Sequence, residues 1–401
     1  MRGWAASILA QGRPVLLLLT IQLLSGIVIS PQMSFFPIYV EEQLGFAVLF
    51  VSTVVAIGQL SGMIAALIGG SLCDALGRKW TLMLGLVGLV FGSLAYLVRA
   101  PWLVVLLRAT GGFGLGFHTL GGQSYLIDAA GSEHLGLLSA LFHWGYTIGG
   151  AVGSSGAGII LDYRGFGSFG LALLTISLTT TLGALALLPG LSQNPAKVSS
   201  WGRSLLGYDK ILRRPAIVLL GLLRFLPTCY DGMASVLNPL LINRAAGSKT
   251  AVALYATSSL IMATLAQALV GQAADRWGSQ RPTLVSFGVM VLSAVGQASF
   301  AAHLWSFYVF GVLGICAAWS LATLVPCWVS DATQVEERGR VLGMLHLLWN
   351  MAMMVGSMVG GALVEIALGL PFVVAALLNL GAIALATYFF RLLASPERCV
   401  V

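Results

Sequence analysis

Apolar runs of about twenty residues or more follow one another along almost the whole chain, separated by short polar stretches. A run of that length with few charges predicts a helix that crosses a bilayer. Twelve such spans are expected, at about 14–40, 46–70, 80–99, 102–128, 136–160 and 167–189, then 215–242, 249–272, 282–302, 304–330, 340–366 and 370–391. Only the connection from Gly190 to Arg214 is long, so the pattern predicts a six-helix bundle over 1–189, a linker over 190–214 and a second six-helix bundle over 215–401. The first run is too long for the apolar core of a cleaved signal peptide and reads as an uncleaved span.

Composition sharpens the class. The chain has 401 residues, 58% of them hydrophobic and only 9% charged, with a mean hydropathy of +0.93. So few charges could not cover a soluble domain of this size, which leaves an all-α polytopic membrane protein in a lipid bilayer. The net charge of +7 would suggest nucleic acid if the bases formed a patch, but they sort by topology instead. With the N-terminus inside, 15 bases fall on inner segments and 4 on outer ones, leaving Arg108 and Arg224 within spans. The excess of positive charge then puts both termini and the linker in the cytoplasm. No acceptor for N-glycosylation occurs, since Asn194 and Asn238 precede Pro and Asn243, Asn350 and Asn379 lack the following hydroxyl residue. That favours a bacterial inner membrane. The five cysteines form no CxxC pair and have no His at ligand spacing, so no metal and no cofactor are expected.

The two halves repeat. Asp128-Ala129 matches Asp331-Ala332 at an offset of 203, which also aligns Gly136 with Gly339 and His143 with His346. The loop Gly70-Ser71-Leu72-Cys73-Asp74-Ala75-Leu76-Gly77-Arg78-Lys79 has a degraded copy at Gly271-Gln272-Ala273-Ala274-Asp275-Arg276-Trp277-Gly278. Its spacing, G-x-L-x-D-x-x-G-R-K, resembles the loop between helices 2 and 3 of the major facilitator superfamily. That resemblance covers the whole chain and implies twelve helices in two six-helix bundles, a secondary transporter working by alternating access, and spans 1, 4, 7 and 10 lining the cavity.

The resemblance also assigns roles. Asp74 and Arg78 would belong to a charge network that latches one half to the other, with Gly70, Gly77, Lys79, Asp128, Asp275, Arg276 and Arg338 (in the run Glu336-Glu337-Arg338-Gly339-Arg340) at the same membrane level. In the second copy Ser279 and Gln280 stand where Arg78 and Lys79 do, so the latch should be asymmetric. Arg108-Ala109-Thr110-Gly111-Gly112-Phe113-Gly114 resembles the superfamily's R-x-x-x-G-x-G element, which implies a proton-coupling role for Arg108. An arginine that snorkels or bonds backbone carbonyls is the alternative. The drug antiporters' Gly-Pro pair is missing from Gly149-Gly150-Ala151-Val152-Gly153 in span 5, and span 1 has no carboxylate before Glu41 and Glu42.

Charges inside spans are costly and so are candidates for function. Arg224 and Asp231 lie seven residues apart on one face of span 7, with Asn238 another seven on. They are either a structural ion pair or part of a substrate or coupling site. Gln22, Ser25 and Gln32 in span 1, and His118 and Gln123 in span 4, add polar groups, and Phe36 and Trp319 could supply apolar wall, although core packing is the safer reading for any single aromatic. Gly-rich faces in spans 4, 5 and 11 predict close helix packing or a sliding interface. No nucleophile–base set appears, so an enzyme is not expected. Three readings stand: proton-coupled efflux of amphipathic compounds, transport of an anionic metabolite, or a transport-inactive sensor or assembly factor. The expected partners are a small-molecule substrate, a proton and the lipid bilayer. A monomer is expected.

Overall fold

The computed structural model describes residues 12–130, 135–191, 214–334 and 337–394. Most of the expected linker, and Glu336, lie outside them. The described chain is helical throughout: α1 (Arg13–Glu42), α2 (Val48–Leu76), α3 (Arg78–Leu94), α4 (Pro101–Ala130), α5 (Leu135–Leu187), α6 (Pro215–Ala246), α7 (Lys249–Trp277), α8 (Gln280–Ser299), α9 (Leu304–Ala332), α10 (Arg338–Ile366) and α11 (Leu370–Ala394). Among the described residues, eleven helices are long and apolar enough to cross a membrane. One of them, α5, breaks at Gly165, where φ is 73°. The break falls between the spans expected at 136–160 and 167–189, and each arm is of bilayer length at 1.5 Å per residue.

Two compact units emerge. The first gathers α1, α2 from Ile57 onward, α3, α4, α5 and the opening turns of α7 as far as Thr257. The second gathers the opening turns of α2 (Val48–Ala56), α6, α7 from Ser258 onward, and α8 to α11.

Within unit 1, Val15, Leu18, Leu82, Leu86, Tyr125 and Phe142 form the centre of one buried cluster. Small residues let the backbones approach. A Cβ added at Gly88 would lie 2.2 Å from the Gly114 Cα, and one at Gly112 would lie 2.1 Å from the Gly58 carbonyl oxygen. On α5, Gly149 and Gly153 face the carbonyls of Leu23 and Ile27 in the same way. Beyond the Gly165 break, Phe166 and Phe169 pack with Tyr39 and Tyr96 in an aromatic cluster that fixes the turn.

Unit 2 repeats the device with α6 and α10. A Cβ at Gly356 would lie 2.2 Å from the Cys229 oxygen, and one at Gly232 would lie 2.5 Å from the Met353 oxygen. The glycine faces of α5 and α10 are thus occupied by contacts inside their own units. In α9, residues Phe307–Gly311 form one turn of π-helix. The wide turn shifts backbone pairing, and the Ser293 hydroxyl donates to the Phe310 carbonyl there.

Candidate functional site

At one end of unit 1, α2 stops at Gly77, whose φ of 94° is strained for any residue with a Cβ, and α3 starts at the next residue. This sharp turn sets the Arg78 side chain between two carboxylates. Its Nη1 donates to Asp74 at 2.9 Å and its Nε to Asp128 of α4 at 3.1 Å. Lys79 Nζ donates to the Leu185 carbonyl near the end of α5, an orphan acceptor at a negative helix end. Gly70 has open space around it. All three charged side chains of the Arg78 cluster are partly solvated, so each pair is worth at most about 1 kcal/mol. Contacts this weak can break and re-form.

The corresponding end of unit 2 has the same plan with less charge. Gly278 repeats the positive φ at 77°, and the Ser279 hydroxyl donates to Asp331 at 2.9 Å where Arg78 meets Asp128. Arg338 Nη2 donates to Ser330, and Arg214 makes a two-pronged bond to Glu337 at 2.7 and 3.1 Å. Asp275 and Arg276 are exposed and make no ion pair among the described residues.

Inside unit 1 the polar candidates form a connected set only in part. Gln32 is buried, and its Nε2 donates to Ser93 Oγ at 2.9 Å and to the Leu89 carbonyl at 3.5 Å. His118 is buried against α3 with its Nε2 3.0 Å from Ser25 Oγ. Gln22 is also buried, while Gln123 is half-buried. Arg108 lays its guanidinium 4.8 Å from the centre of the Phe36 ring, an attraction between a cation and the ring's negative face. Phe36 is itself fully buried beneath that cation.

Inside unit 2, Arg224 and Asp231 are both half-buried near the middle of α6. No ion pair or hydrogen bond joins them among the described residues, although their charges act on each other and Arg224 also acts on His346 of α10. Two helical turns, about 11 Å of rise, account for the gap. Asn238, another seven residues on, is fully buried and accepts a hydrogen bond from Gln297, which in turn accepts from the Tyr230 hydroxyl at 2.6 Å. Trp319 is half-buried and its carbonyl accepts from Gln267 at 3.3 Å.

The sequence matches the Major Facilitator Superfamily over residues 18–237 and again over 220–399. The chain belongs to the Major Facilitator Superfamily. With eleven helices long and apolar enough to cross a membrane among its described residues, it is a multi-pass membrane protein. Among its relatives are the class H tetracycline resistance protein of Pasteurella multocida, 30% identical over 141 residues (35% of this chain, 34% of that protein), and the class B protein of Escherichia coli, 29% identical over 147 residues (35% and 33%). Another, from Escherichia coli strain K12, is described as "Probable galactarate/D-glucarate transporter GudP" and is 26% identical over 164 residues (39% and 36%). Each of these matches spans about a third of the relative's own length. Among solved structures, a mutant of the nucleoside transporter NupG superposes with a TM-score of 0.76 at 17% identity, covering 94% of this chain and 99% of that one. A bacterial homologue of the human lysosomal transporter Spinster gives 0.74 at 13%, covering 96% and 100%. These two establish the fold of this superfamily member.

One pair of residues escaped the sequence reading. Asp162, at the α5 break, accepts from the backbone amides of Lys249 and Thr250 at 2.7 and 2.9 Å and from the Ser248 hydroxyl at 2.8 Å. Lys249 Nζ reaches Glu42 at 2.8 Å. In unit 2, Glu365 near the end of α10 accepts from the Leu49 amide at 3.0 Å. Asp162 and Glu365 are 203 residues apart, the offset that relates Asp128 to Asp331. Each carboxylate caps the start of a helix, satisfying orphan amides and the positive helix end. The repeat offset was the available signal.

Proposed function

We propose that this transporter exports amphipathic organic compounds in exchange for protons. The observation that carries the reading is Asp231. Among the described residues it is the one carboxylate placed in the middle of a membrane helix, and it is not tied to Arg224 by an ion pair. A carboxyl group taken from water into such surroundings gains from holding a proton. A passing solute that alters its surroundings can therefore drive release. The relatives named for tetracycline resistance support efflux and suggest the first probe. The test uses purified protein in liposomes with an imposed pH gradient. Tetracycline should move against its own gradient and dissipate the proton gradient in step. Solute movement that ignores the proton gradient would end the coupling reading.

A second reading, transport of an anionic metabolite, is favoured by Arg224, a half-buried cation without an ion-pair partner among the described residues, and by the relative described as a galactarate/D-glucarate transporter. Galactarate uptake in the same liposomes separates the two.

In the proposed orientation both termini are cytoplasmic and the membrane is a bacterial inner membrane, with the protein working as a monomer. On a cysteine-free background, Gln43→Cys should react with an impermeant thiol reagent from outside only. Gln334→Cys should react only after the membrane is opened. The reverse pattern would invert the topology.

The Asp74–Arg78–Asp128 cluster acts in this scheme as a latch that holds one conformational state. Asp74→Asn should slow transport several-fold while the substrate's half-saturation stays within about twofold, because the cluster lies at helix ends and outside the span interiors. A large loss of affinity at unchanged turnover would remove the latch role.

A further inference from the structure

Arg108 is half-buried and lines a small, partly open chamber between α1, α2, α3 and α4, all within unit 1. Its volume is about 20 Å³, room for one water-sized atom with some play. Gln32, Gln59 and Arg108 supply its polar wall, and Ile29, Leu89 and Leu115 the rest. The Arg108 Nε is sealed from solvent and has no hydrogen-bond partner. Gly58 makes room for it, since a Cβ there would lie 2.9 Å from that nitrogen. Gln59 is buried, and among the described residues its side-chain amide makes no hydrogen bond to protein. The Gln32 amide nitrogen is already committed to Ser93 and Leu89.

The charge count is decisive. No carboxylate forms an ion pair with Arg108 among the described residues, and the acids of unit 1's helices sit at their ends. Phe36 offers a ring face, which attracts the cation without neutralising it. A guanidinium in a membrane interior without a counter-charge is costly, and water satisfies its hydrogen bonds without cancelling its charge. A small polar chamber, a cation without an ion-pair partner among the described residues and an amide that bonds no protein atom together favour a negatively charged, hydrogen-bond-accepting group.

We propose that this chamber is an anion site, in which Arg108 and Gln59 hold one small monovalent anion. The anion is either an inorganic halide or the carboxylate end of the transported solute. The site is independent of the proton-coupling reading, which rests on Asp231 in unit 2.

The test measures thermal melting of the purified protein in detergent at constant ionic strength. Sodium isethionate, the bulkiest of the anions used, is replaced stepwise by sodium chloride, bromide or acetate. A saturable rise in melting temperature is expected. Gln59→Leu should raise the half-saturating concentration about tenfold, the loss of one hydrogen bond to a charged group. Arg108→Gln should abolish the response, whereas Arg391→Gln, the same charge change on exposed α11 surface, should leave it intact. Saturation by chloride and bromide identifies an inorganic ion, and saturation by acetate alone identifies a carboxylate of the solute. Should Arg108→Gln not fold, Gln59→Leu and the anomalous signal of a bromide soak decide, with a peak expected against Gln59. Equal responses to every salt, an unchanged response in Gln59→Leu, or bromide found only elsewhere would overturn the site. Loss of proton coupling in Asp231→Asn leaves this response unaltered.

Discussion

Replacing Arg224 and Asp231, singly and together, is expected to give a melting cycle whose coupling energy stays below about 1 kcal/mol. The two are on one helix, two turns apart, and no ion pair or hydrogen bond links them among the described residues. A buried structural pair behaves differently. Each single change would then cost about 3–5 kcal/mol and the double would recover it. The transport readouts should separate the residues. Asp231→Asn should abolish proton-driven accumulation while downhill solute exchange continues, because the side chain can no longer exchange a proton. Arg224→Ala should leave a folded protein that no longer binds solute, and the double variant should stay inactive. An active double variant would reduce both residues to scaffolding.

The largest stability effects are expected at glycines where two backbones meet. At Gly112→Ala the new methyl would lie 2.1 Å from the Gly58 oxygen, and at Gly88→Ala 2.2 Å from the Gly114 Cα. Overpacking a core against movable side chains costs about 1–3 kcal/mol. Backbone has no rotamer to yield, so whole helices must part and the cost exceeds that range. Loss of monodisperse protein, or a melting temperature lowered by roughly 10 °C or more, is the expected result. Gly183→Ala and Gly288→Ala, where nothing lies within 4 Å, should instead gain up to about 1 kcal/mol from helix propensity. Similar melting in all four variants would show that these contacts are not tight.

Much of this architecture was legible because membrane helices announce themselves by length and apolarity. The polar loop at Gly70–Lys79 was legible too, since a charged stretch between two such runs has to lie at a membrane face. Asp128 could be assigned to the same level, but its bond to Arg78 depends on how α4 packs, which no local window contains. Phe36 could be read as core or as cavity wall, but an aromatic in an apolar run gives no sign of the arginine that reaches it from α4. Asn238 shares a heptad spacing with Arg224 and Asp231, and its bond to Gln297 depends on how α8 packs on α6. The α5 break lay in a short polar stretch, Asp162-Tyr163-Arg164-Gly165, readable as a boundary but not as a cap for another helix.

Those caps bear on how the two halves of the gene product depend on each other. α2 is encoded early, yet its first turns, Val48–Ala56, belong to unit 2 and are capped by Glu365. The first turns of α7, encoded after the linker, belong to unit 1 and are capped by Asp162. Neither helix start carries a capping side chain of its own that could substitute: Ala47 has none, and Ser248 turns its hydroxyl to Asp162. A half-chain synthesised alone would therefore begin one helix without the carboxylate that caps it in the full chain. The ancestral duplication has become an exchange, in which each half completes a helix of the other and neither is a self-sufficient module.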